Sequence, residues 1–379
     1  MNWLTGGKTG EVKRLISQLA DSSKRDRAAQ ELIRLGTEAA PVLIEALQTS
    51  DPNLVSLYQQ ILARIPSATP MLTKALANAH PLVRGRIAEI FAVTCDRAAA
   101  PALLDALRGE FYTVRARAAT ALGNIGDLEF MEALMSALTD REAEVRIAAV
   151  TALGKYREPY TFDAMSNLLL DDPILEVRQA AARALGNTKH PDAVFFLVQA
   201  LRDAFWWYER EQAATDLLKA IEMMGTPAVD PLIEALGDRE GTVRKFAALI
   251  LGKIGDTRAI EELGMTLYDL HHDVSLAAAE ALSKFGAPAV KVLADALRHP
   301  EPAVRLHAVM GLGRIKDPRV APILIETLHD PERLVQKEAV QALGQIRDEA
   351  ALSALRVIAM NRNDREFSML AKQLLGNSS

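Results

Sequence analysis

One phrase recurs along this sequence and limits its fold more than any other feature. It consists of an apolar segment ending in Ala-Leu, an acidic turn, Val-Arg, paired alanines and a closing Ala-Leu-Gly. The valine of this phrase, called here the reference position, or the residue in its place, returns every 29 to 34 residues. Such a fixed period is the signature of a repeat architecture. The reference positions are Lys24, Leu54, Val83, Val114, Val145, Val177, Glu209 in a degraded copy, Val243, Val274, Val304 and Val335.

Each copy has the pattern of two short helices. In the copy at Val114, Pro101 opens the first helix, where the missing N–H of proline costs little. After the turn, Val114, Ala118 and Leu122 lie on one face of a second helix, and Gly126 follows as its cap. Neither helix can bury its apolar face alone, so neighbouring pairs must stack on one another.

We therefore predict an all-α fold, a right-handed α-solenoid of about eleven helix pairs with a C-terminal cap at residues 352–376. We expect one domain over residues 1–379, with repeats from about 11 to 376 and an N-terminal extension at 1–10. The unit resembles the HEAT-like repeat of the phycobilisome lyase type, because it has about 31 residues, Asp in the turn and Val-Arg at the second helix.

Charge and composition exclude several classes of function. The net charge of −5 argues against a nucleic-acid partner, including a DNA glycosylase with a basic groove. Apolar stretches fall far short of the roughly 20 residues that span a bilayer, so no membrane insertion is expected. A single cysteine and a start without signal-peptide features predict a cytoplasmic protein. We also expect a monomer.

Charged residues recur in register with the repeat. Arginine follows the reference position in most copies, and aspartate precedes it by five residues in many turns. Because a cation at a helix start is opposed by the helix dipole, each arginine should have an anionic partner. We predict a structural ladder in which each arginine bridges to the turn aspartate of its own or the next unit. Its residues are Arg115, Asp140, Arg146, Asp172, Arg178, Asp238, Arg244, Asp269, Arg305 and Asp330.

Aromatic residues occupy two turns that should be polar. Tryptophan and tyrosine dominate interface hot spots, so we interpret these turns as partner-binding anchors. The alternative is that the indoles fill a gap opened by an inserted residue. The aromatic turn comprises Phe205, Trp206, Trp207 and Tyr208, with Phe111 and Tyr112 at the corresponding place three copies earlier.

A further set of polar side chains lies off the apolar stripe of the second helices. If those helices build a concave face, their mixed charges suit a protein partner, and the alternative is that most are simply solvated. They are Arg86, Glu89, Arg117, Arg183, Lys245, Glu280, His307, Glu338 and Gln341.

Enzyme chemistry finds little support. Di-iron hydroxylases with similar repeats place His-Glu pairs on several second helices, whereas none of the seven histidines here precedes a glutamate. His271-His272-Asp273 could contact a metal, the alternative being a turn with solvated histidines. Cys95 is expected to be a buried, inert thiol. We assign no catalytic residue, no metal and no cofactor.

The sequence therefore predicts a non-enzymatic scaffold or adaptor that binds a protein partner along its concave face, with the aromatic turn as an auxiliary anchor. The resemblance implies an alternative, a bilin (phycobiliprotein) lyase or chromophore-handling chaperone, because lyases of this kind hold a bilin and its acceptor protein together. If the chain is an enzyme, a bilin lyase-like activity is the expectation.

Overall fold

The computed structural model describes residues 3–203, 211–361 and 363–376, and every regular element within these ranges is helical. Short 3-10 turns precede many of the α-helices. The α-helices are α1 (Trp3–Gln18), α2 (Arg25–Leu35), α3 (Ala40–Ala46), α4 (Pro52–Ala63), α5 (Thr69–Asn78), α6 (Pro81–Thr94), α7 (Ala100–Leu107), α8 (Tyr112–Ile125), α9 (Met131–Ala137), α10 (Ala143–Leu153), α11 (Phe162–Asp171), α12 (Leu175–Thr188), α13 (Pro191–Ala200), α14 (Glu211–Met224), α15 (Val229–Ala235), α16 (Gly241–Ile254), α17 (Ile260–Thr266), α18 (His272–Phe285), α19 (Val290–Ala296), α20 (Pro302–Gly313), α21 (Val320–Thr327), α22 (Arg333–Ile346), α23 (Glu349–Met360) and α24 (Arg365–Gly376).

The helices form consecutive pairs, in which the odd-numbered helix comes first and the even-numbered helix second. Within residues 3–188, and again within the described part of 189–376, each second helix packs on its own first helix and on the second helix of the next pair, as in α8 on α10 and α16 on α18. Across the described ranges, eleven pairs precede the cap formed by α23 and α24. This arrangement confirms the predicted all-α solenoid of stacked pairs.

The chain groups into two compact units. Unit 1 comprises Met1–Thr188 with α1 to α12, and unit 2 comprises Lys189–Ser379 with α13 to α24. The single domain over 1–379 stays a prediction. Helix α1 begins at Trp3 and therefore includes residues 3–10, and the assignment of 1–10 to an N-terminal extension likewise stays a prediction.

The pair α7–α8 shows why these residues form these elements. The Asp96 carboxylate accepts the N–H of Ala98 and starts the 3-10 turn that leads into α7. In α8, Val114 and Leu122 are buried on the face toward the core. Gly126, with φ 76°, ends the helix in the left-handed region and donates its N–H to the Leu122 carbonyl.

Neighbouring second helices approach so closely that glycine is required at their contact. A Cβ added to Gly123 would lie 2.3 Å from the Cβ of Ala152 on the next second helix. The glycine of the recurring phrase therefore provides the space for the alanine of the following copy. The same contact joins Gly154 to Ala184, Gly252 to Ala281 and Gly313 to Ala342.

Candidate functional site

Arginine–aspartate pairs link consecutive helix pairs in both units. Arg115, at the start of α8, donates from Nε to Asp140 Oδ2 at 2.7 Å and from Nη2 to Oδ1 at 2.8 Å. Both side chains are largely buried. We call each such bidentate pair a rung. The same geometry, with distances between 2.6 and 3.0 Å, is found in Arg146–Asp172, Arg244–Asp269 and Arg305–Asp330.

Each rung also satisfies backbone groups of two turns. The remaining Nη1 of Arg115 donates to the carbonyls of Gly109 and Glu110, at 3.0 and 2.8 Å. Asp140 in turn accepts the N–H of Glu142 in its own turn. One rung therefore joins the turn of one pair to the turn of the next, which gives it a structural role.

Electrostatics within the rungs follows from this geometry. Burial alone would raise the pKa of Asp140, but the hydrogen bonds from Arg115 and from the backbone outweigh burial and hold that pKa below its ordinary value. The hydrogen bonds to Asp140 raise the pKa of Arg115. Both groups are therefore charged at neutral pH, and neither has the properties of an acid–base catalyst.

Two further residues of the predicted ladder also make hydrogen bonds in the turns. Arg178 donates from Nε to the backbone carbonyl of Asp172 at 2.6 Å. Asp238 accepts Nε and Nη2 of Arg202, at 2.8 and 2.6 Å. Arg202 lies in a turn and was not among the residues singled out from the sequence, because it is not at the position that arginine occupies in the other copies.

One rung position holds a different cluster. Ser275 occupies the arginine position of α18, and His299 occupies the aspartate position of the next turn. Ser275 Oγ donates to the carbonyl of Leu267 at 2.6 Å and lies 2.7 Å from His307 Nδ1. His307 Nε2 lies 3.3 Å from the Nε2 of His272.

The structure corrects the placement of His307. Its side chain was expected to be exposed on the concave face, toward a partner or solvent, but the residue is only 1% exposed, because the small Ser275 leaves room for the imidazole. Burial, with a smaller contribution from charge on His272, lowers the pKa of His307 to about 4. The paired replacement of arginine by serine and of aspartate by histidine was the sequence signal for this cluster.

Two of the predicted concave-face residues of unit 1, Glu89 and Arg117, contact each other across neighbouring pairs. Glu89 accepts Arg117 Nε at 2.8 Å and Gln59 Nε2 at 2.6 Å. Arg86 donates Nη1 to the carbonyls of Thr49, at 2.8 Å, and Leu47. Arg183, on α12, is exposed.

In unit 2 two of the predicted concave-face residues also form ion pairs with residues of opposite charge. Lys245 pairs with Asp273 at 3.1 Å, and Glu280 pairs with Arg314 at 3.4 Å. Burial raises the pKa of Glu338, which the nearby Arg314 partly offsets. Gln341, on α22, is partly buried.

Of the predicted aromatic anchors, Phe205, Trp206, Trp207 and Tyr208 lie outside the described residues. Phe111 and Tyr112, at the start of α8, are 39% and 41% exposed. We call the turns from first to second helices, with the residues beside them, the turn edge. It carries further exposed apolar side chains at Leu82 and Ile174 in unit 1 and at Leu270 and Leu334 in unit 2.

Other candidate chemistry is limited within the described ranges. No group of three or more histidine, cysteine, aspartate or glutamate side chains there is placed to share a metal ion. None of the helices described has both the length and the apolar character needed to cross a bilayer. Cys95 was expected to be buried, but it is exposed, because it caps the end of α6 in the left-handed region with φ 51°.

Solved structures with a similar fold include importin-β. Kap95p, the yeast importin-β, in its complex with RanGDP is 14% identical and gives a TM-score of 0.56 over 97% of this chain and 60% of Kap95p. Importin-β crystallised with ammonium sulfate is 13% identical, with a TM-score of 0.52 over 96% and 62% of the two chains. The chain thus spans about 60% of the length of these proteins, and the likeness concerns the fold alone.

Family models match most of the sequence. The model for HEAT repeats matches residues 69–140, 131–218, 207–283, 229–300 and 290–376. The model for the PBS lyase HEAT-like repeat matches residues 24–49. No curated protein matches the sequence. The periodic helix pairs and the extent of the first model lead to one conclusion: this chain belongs to the family of HEAT-repeat proteins.

Proposed function

We propose that this protein is a non-enzymatic scaffold that binds a protein partner along its concave face and the adjoining turn edge. The polar side chains of the second helices form this face, which is called the second-helix face below. The observation that carries the proposal is the exposure of bulky apolar side chains, above all Phe111 and Tyr112, in turns that are ordinarily polar. Exposed aromatic rings beside charged groups are typical of interaction sites. The described residues offer no catalytic constellation that competes with this interpretation.

The charges of the second-helix face suit a protein better than a polyanion. Cations there lie beside carboxylates, as in Arg117–Glu89 and Lys245–Asp273, so the described residues of this face form no continuous basic stripe for a phosphate backbone. Kap95p, which shares the fold, binds the protein RanGDP. A cytoplasmic location and a monomeric state remain part of this proposal.

Affinity capture with matched variants tests the proposal. The purified full chain captures binding proteins, which are identified and then measured one by one against variants. F111S/Y112S should weaken binding of a true partner at least tenfold, since hot-spot residues contribute about 2 kcal/mol or more. The control L128S/Y160S removes two side chains that are more exposed, at 57% and 55%, and that lie in turns before first helices of unit 1, so it should leave binding unchanged.

The expected pattern is specific to the turn edge. Equal binding by wild type and F111S/Y112S, with both proteins folded by circular dichroism, would remove this edge from the interface. Replacing Trp206 and Trp207 by alanine tests the aromatic turn in the same assay. Failure of all variants to change binding of any captured protein would contradict the proposed surface.

A second candidate, the handling of a bilin, is favoured by the match of residues 24–49 to the PBS lyase HEAT-like repeat. A flat tetrapyrrole would stack on exposed aromatic rings such as those of the turn edge. Mixing the purified protein with free bilin should then shift the visible absorbance of the pigment, and W206A/W207A should reduce the shift. An unchanged spectrum at saturating protein would eliminate this candidate.

A further inference from the structure

We propose that His272 and His307 of unit 2 form an open two-histidine site for a divalent transition-metal ion of the Zn²⁺, Cu²⁺ or Ni²⁺ class. His272 is the first residue of α18, and His307 lies in the middle of the neighbouring second helix α20. Their Nε2 atoms are 3.3 Å apart, and their ring centroids are 4.4 Å apart. The site needs no part of the proposed scaffold function.

The hydrogen bonds around His307 determine which ring nitrogen carries the proton. The Ser275 hydroxyl has one proton, and it goes to the Leu267 carbonyl, which can only accept. Ser275 Oγ must therefore accept from His307 Nδ1, 2.7 Å away. In the neutral ring this leaves the lone pair on Nε2, the atom that faces His272. A histidine whose second nitrogen is held in this way has the arrangement found in metal-binding histidines.

The distance between the two nitrogens fits a shared metal ion. Two metal–nitrogen bonds of about 2.05 Å that end on atoms 3.3 Å apart enclose an angle of about 107°, close to that of a tetrahedral ion. Without metal, His272 can donate its Nε2 proton to His307. Moving that proton to Nδ1, which requires no change in charge, frees a second lone pair for the metal.

The surroundings allow an ion to enter and retain water. His272 is exposed and lines a concavity of 490 Å³ together with Gly241, Thr242 and Asp273. The ammonium group of Lys245, which also lines the concavity, is paired with Asp273 at 3.1 Å, which reduces its repulsion of a cation. Water molecules from this concavity can complete the coordination. With only two protein ligands, the site should bind reversibly and less tightly than a four-ligand structural zinc site.

The alternative is that the two histidines only replace a missing rung. This position lacks the arginine–aspartate pair found in the neighbouring copies, and a hydrogen-bonded relay from His272 through His307 to Ser275 would join the helices without metal. Both interpretations account for the burial of His307. They differ in whether the exposed imidazole of His272 contributes to metal binding.

Metal titration of the full chain, freed of any purification tag and of bound metal, distinguishes a metal site from a hydrogen-bonded cluster that binds no metal. Zn²⁺ is titrated by calorimetry, and one equivalent of Cu²⁺ is examined by electron paramagnetic resonance at pH 7.5. We expect one saturable Zn²⁺ site and a copper spectrum with splitting from two nitrogen ligands. H272A should lower the Zn²⁺ affinity at least tenfold and remove one nitrogen from the copper spectrum. Because His272 is exposed, this variant should fold normally.

Matched variants complete the experiment. H329A removes an exposed histidine of the same unit and should leave the affinity unchanged. S275A removes the acceptor of His307 Nδ1 and should weaken binding about 10- to 100-fold, as expected for a group that orients a ligand. Zn²⁺ should also raise the melting temperature of wild type but not of H272A. Equal Zn²⁺ affinity in wild type and H272A, or no saturable binding to wild type, would overturn the proposal.

Discussion

The carboxylate of Asp330 serves two helix pairs at once. It accepts two hydrogen bonds from Arg305 and one from the N–H of Glu332. D330A leaves the Arg305 guanidinium buried without its counter-charge, so we expect the free energy of unfolding to fall by about 3 kcal/mol, measured by urea unfolding. As a control, D295A removes a carboxylate that meets Arg298 in solvent at 3.8 Å and should cost less than about 0.5 kcal/mol. Equal losses would contradict the structural role of the rung.

The same rung should make part of the stability depend on acid. Burial would raise the pKa of Asp330, but the hydrogen bonds from Arg305 outweigh it and lower that pKa. The unfolded chain therefore takes up this proton first as the pH falls. The contribution of the rung is complete well above the ordinary aspartate pKa of about 3.9 and is lost as the pH falls through the lower folded value.

Melting temperatures of wild type and D330N, compared between pH 7 and pH 3, measure this dependence. The difference between the two proteins should be constant from pH 7 to about pH 5 and should shrink below about pH 4, because the amide of D330N does not titrate. A difference that is as large at pH 3 as at pH 7 would show that the charge of Asp330 contributes nothing.

At the scale of helices, the close contact between α8 and α10 depends on one missing methyl group. A Cβ at position 123 would lie 2.3 Å from the Cβ of Ala152 and 2.8 Å from its Cα. G123A should therefore destabilise the protein by about 1 to 3 kcal/mol, although alanine favours helices. The control G10A, in α1 where nothing lies within 4 Å, should stabilise by up to about 1 kcal/mol. Thermal unfolding measures whether each variant is less or more stable than wild type. An increase in stability in both variants would contradict the close packing at Gly123.

The same scale shows what the sequence could and could not predict. Pairing of helices followed from periodicity, because an apolar stripe on each helix must be covered by its neighbours. The contacts of Arg202 and the cluster of His307 were not predictable in this way. Both depend on residues that differ in type from those at the same position in the other copies. A recurring sequence pattern predicts contacts only for the positions that follow the pattern. The co-occurrence of Ser275 and His299 marked the departure, but only the packing shows that His307 turns inward.

At the scale of the whole molecule, stability in a stacked array is a sum of local terms, because each helix pair contacts mainly its neighbours. A perturbation in one unit should thus remain local. In G123A, hydrogen exchange measured by mass spectrometry should accelerate in α6, α8 and α10 of unit 1, which pack on one another, by more than tenfold. Exchange in α18, α20 and α22 of unit 2 should stay within about twofold of wild type, and D330A should give the reverse pattern. If either variant accelerated exchange equally in both units, the chain would unfold as one cooperative body, and the description of stability as a sum over neighbouring pairs would fail.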